Sequence, residues 1–288
     1  MPAILVVLGR LRISDSGHWL LSQGRKTEAE AEVARLLERE PPYPKEVRLA
    51  DLPADEQAAA ARVRRTGGWR ELFILPGRRA TILASVPWFL QDLGTYGIGI
   101  FTPTILVKVI GHEDVAAQNV SALIARDILA AKGAALLDVL LIAGILAAVL
   151  LTDRVGRIRL QRQGGKSEAR RAADEAHDLQ AAEPTRSILL FAGFMLFNFM
   201  TNVGPNAQTY LLAGEVFPTE IRGKGAGFAA AFAKVGAVLT AFLFPVLLAD
   251  AGVSFLLSVL IASSLLGAWI TWQFRIETTG ISLEKIGR

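Results

Sequence analysis

The stretch ATILASVPWFLQDLGTYGIGIFTPTILV, residues 80–107, is an apolar run longer than the roughly 20 residues with which a helix crosses a lipid bilayer. Similar apolar runs follow it along the chain, and they decide the predicted fold class. We predict an all-α polytopic membrane protein. Its spans are expected at about 80–107, 134–151, 187–213, 226–249 and 252–274, which makes about five.

The composition also indicates a membrane protein. Hydrophobic residues make up 52% of the chain and charged residues 20%, with a mean hydropathy of +0.38, which is too apolar for a water-soluble domain. The basic residues lie beside the apolar runs rather than in a stripe with aromatic residues, so we expect lipid contact and no nucleic-acid binding. The chain has no cysteine, and its three histidines are far apart in polar segments. We therefore predict no metal site, no cofactor and no enzymatic activity.

The polar segments divide the chain into regions. Residues 1–13 are predicted to be the residual end of a helix, too short to span a membrane. Residues 14–79 are predicted to be a cytoplasmic linker with an amphipathic helix in KTEAEAEVARLLERE. A transmembrane bundle over 80–274 follows, with a polar cytoplasmic insert at 152–186, and 275–288 forms a cytoplasmic tail.

One charged pair stands out inside the apolar runs. Trp88, Asp92 and Tyr96 are spaced by four residues and share one face of a helix. At 1.5 Å per residue, Asp92 lies about 18 Å into a core about 30 Å thick, and Lys234 lies at a similar depth. Ionised groups at this depth should face the bundle interior or a watery cavity. They are either a structural ion pair or a solute site in which the lysine holds an anion and the aspartate exchanges a proton.

A polar face and two interrupted helices add to this picture. Asn198, Asn202 and Asn206 repeat the four-residue step, so they either line a cavity or hydrogen-bond between helices. Proline or glycine interrupts two spans, in TPT at 102–104 and VGPN at 203–206. Broken helices of this kind often line transporter sites, although a plain kink is an equal alternative.

Several segments together carry a family resemblance: WFLQDLGTYG, FTPTIL, DRVGRIRL, NVGPNAQTYLLAGEVFPTEIRGKGAGFAAAFAKVGAVL and IETTGISLEKIG. They resemble the C-terminal half of the major facilitator superfamily, close to its proton-coupled phosphate symporters and sugar porters. The resemblance implies secondary transport of phosphate or another small solute, with protons, across the cell (inner) membrane. In the phosphate branch a W-x3-D-x3-Y motif and a later lysine contribute to the phosphate site. Here these residues are Trp88, Asp92, Tyr96 and Lys234, with Asp92 as the proton-coupling group.

A second set of residues resembles the family's gating motifs. The resemblance implies that arginines at the cytoplasmic end of one span pair with acids of a neighbouring helix when that side closes. The matching residues are Asp153, Arg154, Gly156, Arg157, Glu215 and Arg222. The alternative is that these charges only anchor the helices at the membrane surface.

Two departures from the family pattern remain. We expect the chain to lack the family's first six-helix half, which would then be a missing partner, and its ninth helix, because 162–186 is too polar to span. Five spans would also put TEIRGKG, residues 219–225, on the opposite side from 153–186. Either 187–213 re-enters the membrane without crossing it, or the chain is a deleted relic. The alternatives to a phosphate symporter are a sugar-porter-like transporter and a noncatalytic membrane subunit or remnant.

Overall fold

The computed structural model describes residue 9 and residues 15–37, 47–51, 53–54, 57–58, 61, 68–74, 77–110, 120–178 and 185–281. The described part is helical, without a strand, which confirms the predicted all-α class. The helices are α1 Gly17–Ser22, α2 Lys26–Leu37, α3 Gly77–Ile110, α4 Val120–Val155, α5 Arg157–Asp178, α6 Thr185–Thr201, α7 Ala207–Glu215 and α8 Arg222–Gln273. A 3-10 turn lies at Arg70–Leu72 and a π-helical turn at Asn202–Asn206. The helix end predicted at 1–13 lies almost entirely outside the described residues.

Helix α8 is two helices joined at a sharp bend. Gly252 has φ 78°, a left-handed backbone conformation that glycine adopts without a Cβ clash. We call the part before this residue α8a and the part after it α8b. Both are long and apolar enough to cross a membrane, over Arg222–Gly252 with 31 residues and Phe255–Gln273 with 19 residues.

The apolar helices indicate which solvent surrounds the bundle. α4 and α8 are apolar around their whole circumference, which is typical of helices that meet either a protein core or lipid on every side. Inward residues of α8 join residues of α3, α5, α6 and α7 in two buried clusters, one around Leu83, Leu212 and Phe217 and one around Phe197 and Leu260. Large apolar side chains on the outer faces, such as those of Val149 and Phe242, stay exposed. Such a surface suits a lipid environment.

The structure corrects the expected polar insert at 152–186. Residues 157–178 form α5, which packs inside the bundle against α8, α6 and the π-helical turn. The expectation of a polar insert outside the bundle is therefore wrong for residues 157–178, whereas the count of about five spans and the missing ninth helix stay predictions. The high polarity of this segment reflects its outer face, where Arg159, Lys166 and Arg170 are exposed.

Glycines explain how so polar a helix enters the bundle. A Cβ added to Gly204 in the π-helical turn would lie 2.7 Å from Cα of Gly164 and 2.8 Å from the carbonyl oxygen of Leu160. On the adjacent side of α5, a Cβ on Gly165 would lie 3.2 Å from the carbonyl oxygen of Ser264 in α8b. The buried stripe of α5 thus includes small residues, among them Gly164, Gly165 and Ala169, which bring backbones close together without adding to a hydropathy average.

Helix α5 also removes the conflict over sidedness. Arg79, at the start of α3, donates to the carbonyl oxygen of Arg275 at 2.6 Å, just after α8. Arg157, at the start of α5, bonds Glu215 at the end of α7. The starts of α3 and α5 and the ends of α7 and α8 therefore share one end of the bundle. The segment 219–225 lies at this same end, so the structure requires neither a re-entrant 187–213 nor a deletion to place it there.

The two predicted interruptions differ from each other in the structure. The backbone of α3 continues as a helix through 102–104, so TPT does not break it. In VGPN the chain forms the π-helical turn instead, with Pro205 inside it. A proline removes one backbone donor, and a wider turn accommodates this loss.

Replacing the glycine at the α5 contact should destabilise the bundle. We expect Gly204→Ala to lower the thermal unfolding temperature of the detergent-solubilised protein by about 3–10 °C, because the added methyl overpacks the contact with Gly164. Gly214→Ala is the matched control, since a Cβ there meets nothing within 4 Å. Equal unfolding temperatures for the two variants would contradict the packing of α5 inside the bundle.

Candidate functional site

Helices α3 and α8a approach closely enough to join two polar side chains across their interface. A Cβ on Gly236 would lie 2.6 Å from the carbonyl oxygen of Phe89, so glycine permits the close contact. Thr240 Oγ1 then donates to the carbonyl oxygen of Leu93 at 3.1 Å and fixes the register of the two helices. Six residues before Thr240 in α8a, Lys234 comes opposite Asp92.

The predicted charged residues form one hydrogen-bonded cluster. Lys234 Nζ donates to Asp92 Oδ2 at 2.9 Å and to the hydroxyl oxygen of Tyr96 at 3.1 Å. The same ammonium lies 4.9 Å from the centre of the Tyr96 ring, within reach of a cation–π attraction. The four-residue spacing on α3 thus places an acid and a phenol on the face that meets the lysine.

Trp88 lies one turn before Asp92 on α3, beside this cluster. Its ring packs against Tyr210 of α7, with ring centres 4.5 Å apart. The side chain is buried, and its indole N–H lies near the Asp92 carboxylate without hydrogen-bond geometry. An unpaired donor beside a carboxylate is a ready contact for an additional acceptor, such as a solute oxygen.

The two charges differ in their access to the outside. The Asp92 side chain is 4% exposed, whereas that of Lys234 is 49% exposed. A buried carboxylate needs a positive partner, and Lys234 supplies it. The Lys234 side chain is half-exposed on its other side.

The predicted asparagine face is partly a hydrogen-bonded ladder. Asn206 Nδ2 donates to Asn202 Oδ1 at 2.7 Å, and Asn202 Nδ2 donates to the carbonyl oxygen of Asn198 at 3.1 Å. The ladder reaches α3, where Gln91 Nε2 donates to Asn206 Oδ1 at 3.4 Å and to Thr95 at 2.7 Å. Gln91 is thus a residue of the site that motif reasoning passed over. Its position next to Asp92, on a buried face of the same helix, was the available signal.

At one end of the bundle the predicted gating residues meet. Arg157 donates from Nε and Nη2 to the two carboxylate oxygens of Glu215, at 2.8 and 3.1 Å, and from Nη1 to Asp153 at 2.9 Å. This paired geometry is the strongest form of an arginine–carboxylate contact. Gly156, with φ 97°, makes the tight turn between α4 and α5 that brings Arg157 into place.

The remaining two gating residues lie outside this pair. Arg154 is exposed at the end of α4. Arg222 donates from Nε to the carbonyl oxygen of Phe217 at 3.1 Å and so closes the turn before α8. Two hydroxyls outside the predicted motif also join the network: Thr278 donates to Glu215 at 2.5 Å, and the Thr279 hydroxyl oxygen accepts from Arg157 at 3.4 Å. Both belong to IETTG, the segment quoted above for its resemblance.

The network should contribute measurably to stability. We expect Glu215→Gln to lower the thermal unfolding temperature by about 4–8 °C, because Arg157 and Thr278 each lose a hydrogen bond to a charged oxygen. Glu220→Gln, at the next carboxylate along the chain, is the matched control and should change the temperature by less than about 2 °C. If the network did not stabilise the fold, Glu215→Gln and Glu220→Gln would have the same unfolding temperature.

Comparisons with known proteins agree with this architecture. The family model described as sugar (and other) transporter matches residues 1–288. The Escherichia coli K12 inner membrane metabolite transport protein YgcS is 28% identical over the whole chain, which covers 56% of YgcS. The probable inorganic phosphate transporter 1-12 of rice is 28% identical over 99% of the chain and 54% of its own length. The proton:xylose symporter XylE, bound to 6-bromo-6-deoxy-D-glucose, superposes with a TM-score of 0.71 at 19% identity, over 99% of this chain and 56% of XylE.

The match to XylE shows the fold, and the family match covers every residue of the chain. The chain spans about half the length of the relatives that it matches. Proteins of this family are integral membrane proteins that carry small solutes, which agrees with the exposed apolar faces of α4 and α8. The chain belongs to the sugar (and other) transporter family and has the fold of part of a major facilitator superfamily transporter.

Proposed function

We propose that this chain carries the anion- and proton-binding half of a proton-coupled inorganic phosphate symporter of the cell (inner) membrane. The observation that carries the proposal is the cluster of Asp92, Lys234 and Tyr96, in which a half-exposed ammonium is held by a buried carboxylate. An ammonium on a flexible stem suits a phosphate as a point charge, and the phenol adds a directional donor.

The cluster supplies a simple coupling of proton to anion. While Asp92 is ionised, it neutralises Lys234 and leaves little attraction for a second anion. When Asp92 takes up a proton, the ammonium loses its counter-ion and attracts phosphate through its open side. Proton and phosphate then bind cooperatively, because each favours the same state of the lysine.

The network of Arg157, Glu215, Asp153 and Thr278 suits the second requirement of a symporter, which is that only one side opens at a time. In this structure Arg157 and Glu215 tie α5 to α7, and Thr278 ties in the segment after α8. We propose that this network closes the cytoplasmic side, and that it separates when the helices rock to release solute. In this account the asparagine ladder lines the cavity between the two charged clusters.

The alternative substrate is a sugar. The family name, YgcS and XylE favour sugars or other metabolites, whereas the rice relative favours phosphate. Amides and aromatic rings serve sugar hydroxyls, and Gln91 and Asn206 are close to the cluster. A paired acid and lysine suits an anion better, because a neutral sugar does not offset the charge on either group.

Competition in a transport assay separates the two. The complete reading frame that contains this chain is reconstituted into liposomes with an inward proton gradient, and uptake of radiolabelled phosphate is measured. We expect unlabelled phosphate to compete, glucose and xylose to have no effect, and a protonophore to abolish accumulation. Saturable sugar uptake with no phosphate uptake would replace the proposal with the sugar porter, and no uptake of either would favour a noncatalytic subunit.

A further inference from the structure

A second polar cluster lies inside the bundle, away from Lys234. It surrounds a cavity of about 20 Å³ between α3, α5, the π-helical turn and α8b. A volume of this size holds one water-sized species. Among the residues that line it are Gln91, Gln161, Glu168, Ser264 and Thr271.

Three side-chain oxygens at this cavity have no hydrogen-bond partner among the described residues. They are Oε1 of Gln91, Oε1 of Gln161 and Oε1 of Glu168. The three side chains are 7%, 3% and 4% exposed, so bulk water does not satisfy them. Unpaired buried oxygens are rare in folded proteins. Three of them at one cavity indicate that a positively charged or proton-donating species binds there.

The charge at the cavity points the same way. Glu168 receives a hydrogen bond from Ser264 Oγ at 3.3 Å through its other oxygen, and the Thr201 hydroxyl lies near the carboxyl group without hydrogen-bond geometry. Among the described residues, none of those that line the cavity is a lysine, arginine or histidine. An ionised carboxylate buried without a compensating charge is strongly unfavourable, so this site is incomplete with protein groups alone.

We propose that this cavity binds a monovalent hard cation of the sodium class, with Glu168 as the charged ligand and the amide oxygens of Gln91 and Gln161 as neutral ligands. Carboxylate and amide oxygens are the ligands that hard cations prefer. A proton on Glu168 would satisfy one amide oxygen and leave the other unpaired, whereas a cation contacts all three oxygens together.

The position of the site connects it to the solute cluster. Gln91 lines the cavity and donates from its amide nitrogen to Asn206, and the next residue along α3 is Asp92. Cation binding therefore fixes the orientation of the amide that ends the asparagine ladder. The inference concerns binding by this chain and holds whether the transported solute is phosphate or sugar.

Thermal unfolding of the purified, detergent-solubilised chain tests the site directly. The probe is NaCl, compared with N-methylglucamine chloride at equal ionic strength and pH 8. At a Na⁺ concentration ten times the dissociation constant, we expect an unfolding temperature about 3–6 °C higher in sodium. Glu168→Gln should abolish the difference while folding normally, because the amide has the shape of the acid without its charge. Gln161→Leu should raise the Na⁺ concentration needed at least tenfold.

Matched controls lie on the same helix. Asp174→Asn removes a half-exposed carboxylate, and Gln163→Ala removes an exposed amide, and both should keep the full sodium effect. Equal unfolding temperatures in the two salts would overturn the proposal, as would a sodium effect that survives Glu168→Gln. Stabilisation by low pH alone, without any sodium dependence, would also overturn it and would identify Glu168 as a protonated acid.

Discussion

Asp92→Asn should abolish proton-driven phosphate accumulation and leave phosphate exchange intact. The amide keeps the size of the carboxylate and can still accept a hydrogen bond from Lys234, so the cluster should hold its shape. It cannot take up or release a proton, and it cannot neutralise the ammonium. In the proposed coupling, the variant is fixed in the state that binds phosphate.

Two assays on the complete reading frame in liposomes separate these effects. Accumulation against a gradient should fall to the level of empty vesicles, while exchange of internal for external phosphate should stay within about threefold of the unmodified protein. Asp250→Asn, at an exposed carboxylate near the end of α8a, is the control and should retain both activities. Undiminished accumulation by Asp92→Asn would remove Asp92 from the coupling.

Phosphate affinity measured over a range of pH gives a second test with Asp92→Asn. Phosphate itself titrates near neutral pH, so the affinity of any phosphate site changes with pH for reasons unrelated to the protein. In Asp92→Asn the phosphate affinity should change with pH only through the titration of phosphate, because the asparagine side chain does not titrate. We expect the unmodified protein to gain affinity relative to Asp92→Asn as the pH falls, until the two converge. Parallel curves at every pH would contradict cooperative binding of proton and phosphate.

Lys234→Ala should weaken phosphate binding by about 30- to 100-fold, which is the loss expected when an anion at a partly desolvated site loses a charged donor. The variant also leaves the buried Asp92 without its counter-ion, so any anion that approaches is repelled as well. Equilibrium binding of radiolabelled phosphate to the purified protein measures this directly.

Two further variants test whether the effect of Lys234→Ala is specific to this lysine or due to overall charge. Lys234→Arg keeps the charge and should lose less than about tenfold, although its planar group no longer matches the two acceptors. Lys224→Ala, at an exposed lysine near the start of the same helix, should leave affinity unchanged. If Lys224→Ala weakened binding as much as Lys234→Ala, the effect would be one of overall charge rather than of a site.

The charged cluster could be predicted from sequence because helix geometry is regular. Four-residue spacing put Trp88, Asp92 and Tyr96 on one face of α3, and counting residues from the span starts put Lys234 at a similar depth. The contact itself, across 142 positions, depends on the close approach at Gly236, which no local pattern reveals. The role of these four residues in transport stays a prediction.

The error over α5 has a different origin. A hydropathy average treats every side chain of a helix alike, whereas burial depends on one face. The buried face of α5 carries Gly164, Gly165 and Ala169, which contribute little to any hydropathy scale, and the exposed face carries the charges that dominate the average. A count of small residues at helical spacing would have indicated a packed helix.

The cavity at Glu168 could not be predicted for a related reason. Its proposed ligands come from two helices, Gln91 from α3 and Gln161 and Glu168 from α5, and α5 belongs to the segment that polarity placed outside the bundle. Gln91 is next to the acid that drew attention, and its contact with the asparagine ladder appears only once the π-helical turn of Asn202–Asn206 is known.

The most direct test of the account asks whether Asp92 and Lys234 form a solute site or only an ion pair. Thermal stability and phosphate affinity are measured for Asp92→Asn, Lys234→Ala and the double variant. Lys234→Ala leaves the buried carboxylate of Asp92 unpaired and is destabilising, and removing both charges should restore much of the stability whatever their function. The account predicts that the double variant regains stability and still binds phosphate at least about 30-fold more weakly than the unmodified protein. Restored stability together with undiminished phosphate affinity would contradict it, and Asp92 would then be only the counter-ion of Lys234.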